Sequence, residues 1–269
     1  MTEADPGAPT PSTRERPKWL GGVIGTVVVI AVWWLLAVTV FQDGGSVPTP
    51  WEVVKQVKAD GWDFYATNAG ITLRGAGQGF LWGNALALLI AVLVLLVPPL
   101  EAVATQLAVI SYCMPLTAIG PIVLVIFGGR APTIFLAALS VFFTTLVGAL
   151  LGLKAADQAS LQLIEVYGGT RWHRLLKVQI ISALPNVLSA LKIAAPAAML
   201  GAIIGEYLGG IDNGLGVVLT VAQQQFLVPR TWALAFVIGG LAGLGYAIFA
   251  LIARFVTPWS TGASAGGTP

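Results

Sequence analysis

The chain has 269 residues, of which 57% are hydrophobic and only 10% charged, and its formal net charge is +2. A soluble globular domain carries about 25% charged residues; with so few, and a mean hydropathy of +0.85, this chain cannot cover its surface with charge, and lipid must be its solvent. Its Lys and Arg residues are dispersed rather than gathered into a basic face, so the net charge says little about nucleic acid, and no nucleic-acid partner is expected.

Residues 1–18 form a first tail, rich in Pro, Thr and Ala near its start and lacking apolar periodicity, so it is expected to be disordered. Arg14, Arg16 and Lys18 lead into an apolar run over 19–41. A spanning helix needs roughly 20 mostly apolar residues. The run exceeds the core of a secretory signal and lacks a small-residue cleavage site, so it reads as a retained span. Five more runs of this kind lie near 71–97, 103–127, 132–153, 184–208 and 231–255. Together they predict an all-α membrane domain of about six transmembrane helices over residues 19–259, followed by a second disordered tail over 260–269.

After the first run, SVPTPWEVVKQVKADGW places Trp51, Val54, Val57 and Trp62 at roughly helical spacing. That pattern predicts a short amphipathic helix lying on the membrane surface, with its tryptophans at headgroup depth. Glycines recur four apart inside the runs, at Gly21/Gly25, Gly75/Gly79/Gly83, Gly148/Gly152, Gly201/Gly205/Gly209 and Gly239/Gly243. Such spacing lets helix backbones approach closely in lipid. These glycines do not form a nucleotide-binding loop, because G-x-x-x-x-G-K-[ST] occurs nowhere in the chain.

In the third run Pro115 frees a backbone carbonyl, which neighbours or a cavity must satisfy. Ser111, Tyr112, Met114 and Thr117 surround it and, with Asn84, Thr144 and Thr145, are candidates for lining a solute path. Each can equally be read as polar glue between helices. Cys113 has no partner for an internal disulfide and reads as a small core residue. Glu206, at the end of the fifth run, is costly in lipid and must face protein or water. It is either a gate or pathway residue at the outer face or a helix-end carboxylate held by loop amides. His173 is the one histidine, so a single chain cannot build a multi-histidine metal site. No Ser-His-Asp set or carboxylate pair points to catalysis.

Placing both termini in the cytoplasm puts Arg14, Arg16, Lys18, Lys154, Arg171, Arg174, Lys177, Lys192 and Arg254 on the inner side. It leaves Lys55, Lys58, Arg74, Arg130 and Arg230 outside. The bias has the sign that the positive-inside rule requires. The loop from about residue 154 to 183 is then cytoplasmic. Its stretch DQASLQLIEVYGGTRWHRLLKV predicts a short helix ending at Gly168–Gly169 and a second helix capped by Thr170. Such a knob, exposing Leu, Tyr and Trp, reads as a docking surface, or else as an amphipathic hairpin lying on the membrane.

The segment QLIEVYGGTRWHRLLKVQIISALPNVLSALKIA resembles the cytoplasmic loop signature of ABC importer permeases in the nitrate, sulfonate and taurine branch. Gly168 matches its glycine, Arg171-Trp172 its Arg-Trp and Leu184-Pro185 its second Leu-Pro. Gln162 stands where the signature has Glu, and Ile180-Ile181 where it has the first Leu-Pro. VPTPWEVV, PLTAIGPIVLVIFGG, GEYLGGIDNGLGVVL and TPW extend the resemblance over about residues 46–259. It implies a type I ABC importer permease core in a bacterial inner membrane, with a cytoplasmic coupling helix. The implied docking residues are Gln162, Glu165, Tyr167, Gly168, Gly169, Thr170, Arg171, Trp172, Leu184 and Pro185. Implied partners are two cytoplasmic ATPase subunits, a second permease and an external substrate-binding protein or lipoprotein. ATP and magnesium would sit on the ATPases, with no cofactor on this chain. The departures at Gln162 and Ile180-Ile181 point to a second permease of different, more regular sequence. A self-sufficient secondary transporter or channel is the competing class; it predicts ionisable residues in mid-span or an inverted repeat.

Overall fold

The computed structural model describes residues 18–41, 45–209 and 211–260. Both expected tails, apart from Lys18 and Ser260, lie outside the described residues. Within the described residues the regular structure is helical throughout: α1 (Lys18–Thr39), α2 (Pro50–Asp60), α3 (Trp62–Leu96), α4 (Leu100–Cys113), α5 (Leu116–Phe127), α6 (Ala131–Lys154), α7 (Gln158–Val166), α8 (Arg171–Arg174), α9 (Ile180–Tyr207), α10 (Leu215–Gln224) and α11 (Val228–Val256). Five helices are each long and apolar enough to cross a membrane, and α4 with α5 makes a sixth, bent span.

The centre of the fold is α6, clasped by α3 on one side and α9 on the other. Glycine permits this clasp. A Cβ on Gly205 would stand 2.5 Å from the Thr133 Cα, one on Gly201 2.7 Å from the Ala137 Cα, and one on Gly79 2.9 Å from the Ala138 nitrogen. Toward the inner end, a Cβ on Gly152 would stand 3.0 Å from the Ala183 carbonyl. Here backbone meets backbone, the contact by which helices hold each other when lipid offers no hydrophobic drive. The same spacing does nothing of the kind at Gly21, Gly25, Gly239 or Gly243, which have no neighbouring atom within 4 Å. Two apolar clusters result. One, around Ala137, Val141, Ala198 and Leu234, lies toward the outer half. The other, around Leu146, Leu153, Leu175 and Ala183, lies toward the inner half.

The third span, expected near 103–127 with Pro115 within it, is two helices rather than one. It breaks at Met114-Pro115, where α4 and α5 meet at 95°. Pro115 has no N–H to continue the ladder and pushes Met114 out of helical geometry, to ψ 125°. The pair still traverses the molecule: Glu101 in α4 pairs with Lys154 at the inner end of α6, whereas Gly120 in α5 lies against Leu136 and Leu208 at the outer end. The second span begins earlier than expected, at Trp62 rather than residue 71, because only Gly61 separates α2 from α3.

The helix predicted over SVPTPWEVVKQVKADGW is α2. A capping box opens it: the Thr49 N–H donates to Glu52 (2.7 Å) and the Glu52 N–H to the Thr49 hydroxyl (3.3 Å). Its inward anchor is Val53; Trp51, Val54 and Trp62 are exposed, and Val57 packs at the core's edge. At its end, the Asp60 carboxylate accepts from Gln56 (2.8 Å), the Tyr65 hydroxyl (2.8 Å) and Arg230 Nε (3.0 Å), tying α2, α3 and α11 together. Helix α1 is peripheral. Over residues 21–39 only Ala37 is buried, and its attachment is Trp33, which donates to the Pro48 carbonyl (3.1 Å) and stacks on Trp232 and Phe236.

Candidate functional site

The cytoplasmic hairpin is built from local rules. Asp157 caps α7, its carboxylate accepting from the Ser160 N–H (2.9 Å) and hydroxyl (2.8 Å). These bonds hold the exposed carboxyl below the usual aspartate range, the Ser160 backbone amide contributing most. The helix ends in a Schellman turn: Gly168 N–H donates to Glu165 O (2.9 Å) and Gly169 N–H to Ile164 O (2.8 Å). Gly168 takes φ +72°, a left-handed conformation that suits glycine. Thr170 then caps α8, as expected, with its N–H donating to His173 Nδ1 (3.2 Å).

The second loop helix is not a separate element. α8 passes through a π-helical turn (Leu175–Gln179) into α9, giving one continuous helix of 37 residues from Arg171 to Tyr207. No Gly or Pro interrupts residues 170–184, and Leu175 is buried in the inner apolar cluster, so nothing ends the helix at the membrane surface. The hairpin is therefore the inner extension of the fifth span, carrying α7 folded back against it.

Of the proposed docking residues, Gln162, Glu165, Tyr167, Gly168, Thr170 and Trp172 are exposed, and Val166 and Tyr167 are each 83% exposed. Arg171 is exposed as well but is tied back to the membrane domain. Its Nη1 donates to the Leu96 carbonyl at the inner end of α3 (2.9 Å), satisfying a group the helix leaves open. Arg174 reaches Glu165 across the hairpin (3.3 Å). Gly169 is packed against Ile164, while Leu184 and Pro185 are half-buried in the base of α9.

The candidate path residues separate into two groups. Ser111 and Met114 line an apolar cleft of about 420 Å³ with Trp82, Leu107 and Phe142. Tyr112, its ring tilted against Phe143 with centroids 4.6 Å apart, and Thr117 are exposed nearby, at the α4–α5 break. Asn84 and Thr145 instead bond to one another in the interior between α3 and α6, and Thr144 is half-buried beside them. Glu206 is 1% exposed. Its Oε2 accepts from the Thr72 hydroxyl (2.9 Å) and the Gly216 N–H (2.7 Å). The Thr72 oxygen in turn accepts from Leu215 N–H (2.8 Å), and Asn68 Oδ1 from Gly214 N–H (3.0 Å). Three side chains from α3 and α9 thus receive the open amides at the start of α10, an arrangement the positive end of that helix favours. Its second carboxylate oxygen, Glu206 Oε1, is buried without a hydrogen-bond partner among the described residues. Asn68 and Thr72 went unnoticed in the sequence; their one signal was polar residues four apart on a helix otherwise buried in apolar contacts.

Five single spans and one bent span around a glycine-clasped α6, with a hairpin extending beyond the membrane, define a multi-pass inner-membrane protein of the permease class. Residues 83–261 match the family described as binding-protein-dependent transport system inner membrane component, and the chain belongs to that family. It is 26% identical to the formylaminopyrimidine transport permease protein of Halalkalibacterium halodurans, over 86% of this chain and 93% of that one. It is 24% identical to the taurine transport system permease protein of Escherichia coli, over 88% of each. The riboflavin transport system permease protein of Chloroflexus aurantiacus is 25% identical over 59% of each chain. Relatives of this kind are transporter subunits rather than enzymes.

Proposed function

We propose that this chain is the membrane-spanning subunit of an ATP-driven importer for a small organic solute of the size and polarity of taurine or a vitamin precursor. It pairs with a second permease, receives solute at its outer face from an external binding protein or lipoprotein, and docks two cytoplasmic ATPase subunits that carry ATP and magnesium. The observation that carries this reading is the hairpin. The hairpin presents Leu163, Val166 and Tyr167 from α7 and its end, and Trp172 from α8, to the cytoplasm, where exposed apolar and aromatic side chains gain most by inserting into a partner's groove. The second arm of the hairpin, α8, is one piece with the fifth span, so a push on α7 reaches the membrane through the Gly168–Gly169 turn and then along a single helix. The solute path then lies along Ser111, Tyr112, Met114 and Thr117 at the α4–α5 break. An apolar cleft there favours a solute with a ring or alkyl part over a bare inorganic anion.

The test is affinity purification of the detergent-solubilised protein from its native membrane, wild type against Gly168→Val. The β-branched residue cannot take φ +72° without a penalty of about 1–2 kcal/mol, so the hairpin distorts while the spans are untouched. An ATPase subunit should accompany the wild type and be lost from the variant. If wild type brings down no ATPase, the importer reading falls and a self-sufficient transporter replaces it.

A further inference from the structure

The inner ends of α9 and α11 enclose a cavity of about 430 Å³ that no step of transport described above uses. Asn186, Ser189 and Lys192 face it from successive turns of α9, and Ala253, Arg254 and Thr257 from the last turn of α11. Two cations therefore share a small space whose lining contains no carboxylate. Neither Lys192 nor Arg254 forms an ion pair among the described residues. Lys192 is half-buried and Arg254 exposed, and like charges lining one open groove favour an anion.

Depth and surroundings identify the source of that anion. Arg254 lies two residues before the inner end of α11, and Trp259 follows in a short turn, 56% exposed, where aromatic residues mark the membrane–water boundary. Lys192 lies deeper, along α9, with a side chain long enough to bring its ammonium toward the same level. Flanking the cavity, Phe255 is 74% exposed and Ile193 57% exposed. The site thus offers two cations, an amide and a hydroxyl at headgroup level, with apolar side chains beside them. A free anion would use only the first part of this arrangement; a phospholipid uses both.

We propose that the cavity between α9 and α11 is a binding site for the phosphate headgroup of an anionic phospholipid from the inner leaflet, held by Lys192 and Arg254 with Ser189 and Asn186 as hydrogen-bonding partners. Basic pockets between spanning helices on the cytoplasmic side take such headgroups. Because α9 is continuous with the docking hairpin, a lipid seated there braces the helix that bears the cytoplasmic load.

The full-length protein, purified with its co-isolated partners, is reconstituted in nanodiscs containing phosphatidylglycerol and phosphatidylcholine in equal amounts, and the lipid retained after release is read by native mass spectrometry. Wild type should retain phosphatidylglycerol in preference to phosphatidylcholine. Lys192→Gln with Arg254→Gln should weaken that retention about tenfold or more, and Lys192→Arg should preserve it. Ser189→Glu, which supplies an internal carboxylate and keeps both cations, should also displace the lipid, so the test does not depend on the double variant folding. Equal retention of the two lipids by wild type overturns the proposal, as does undiminished retention by both the double variant and Ser189→Glu. Displacement of the lipid by millimolar inorganic phosphate overturns it in a different way, by making the cavity a site for free anions.

Discussion

At the scale of single residues, the outer polar knot shows how a carboxylate is kept inside this fold. Glu206 at 1% exposure would be prohibitive in lipid if it stood alone. The partners of its Oε2 are the hydroxyl of Thr72 and the Gly216 N–H that α10 leaves open at its start, while Oε1 has no partner among the described residues. Thr72 is the pivot, donating to Glu206 while accepting from Leu215. Thr72→Val keeps the shape and removes both bonds, leaving a buried amide and a carboxylate oxygen each short of a partner. Each unsatisfied buried group costs about 1–3 kcal/mol. The variant should therefore lose several degrees in thermal unfolding followed by tryptophan fluorescence in detergent, and Thr72→Ser should recover most of the loss. An unchanged midpoint for the valine variant would mean that α10 is held by its apolar contacts alone.

At the scale of helices, an identical motif has opposite meanings in different places. Gly205 and Gly239 both belong to glycine pairs four apart in apolar helices, and composition does not distinguish them. In the fold, Gly205 meets the backbone of Pro132 and Thr133, while Gly239 has open space. Gly239→Ala should therefore be neutral or stabilising by up to about 1 kcal/mol through helix propensity. Gly205→Ala must push α9 off α6 and should be markedly destabilised or absent from the membrane fraction. Comparing yield and thermal midpoint of the two variants tests the clasp directly; equal behaviour would refute it. The contrast also shows what the sequence could reveal. Apolar length located six crossings, and Gly168 and Thr170 announced their turn and cap, because those are short-range effects carried by neighbouring residues. The sequence did not reveal which glycines touch, that Pro115 breaks its span by 95° instead of kinking it, or that Thr170 opens the fifth span itself. Each of those depends on what packs alongside, and a π-helical turn such as Leu175–Gln179 has no local signature.

At the scale of the whole molecule, the question is how a force on the nine-residue α7 could reach the path proposed near Pro115. Two rigid routes leave the hairpin. One is the unbroken helix from Arg171 to Tyr207, whose outer end carries Glu206 and so grips α3 and α10. The other is the bond from Arg171 to Leu96, which fastens the hairpin to the inner end of α3 just before the chain turns into α4. Since α3 is held at both ends, by Arg171 within and by Asn68 and Thr72 without, α3 and α9 must move as a pair, and α4 and α5, joined to them by a three-residue turn and a proline break, must yield. Arg171 is on this view a positioning residue that links docking to movement, rather than a contact for the ATPase. Arg171→Met, which keeps the stem and removes the guanidinium, should leave the ATPase bound and hydrolysing ATP in the reconstituted complex while solute uptake per ATP falls severalfold. The ratio of the two rates in proteoliposomes is the decisive reading. Loss of the ATPase from the variant would return Arg171 to the docking surface, and an unchanged ratio would show that α9 alone transmits the stroke.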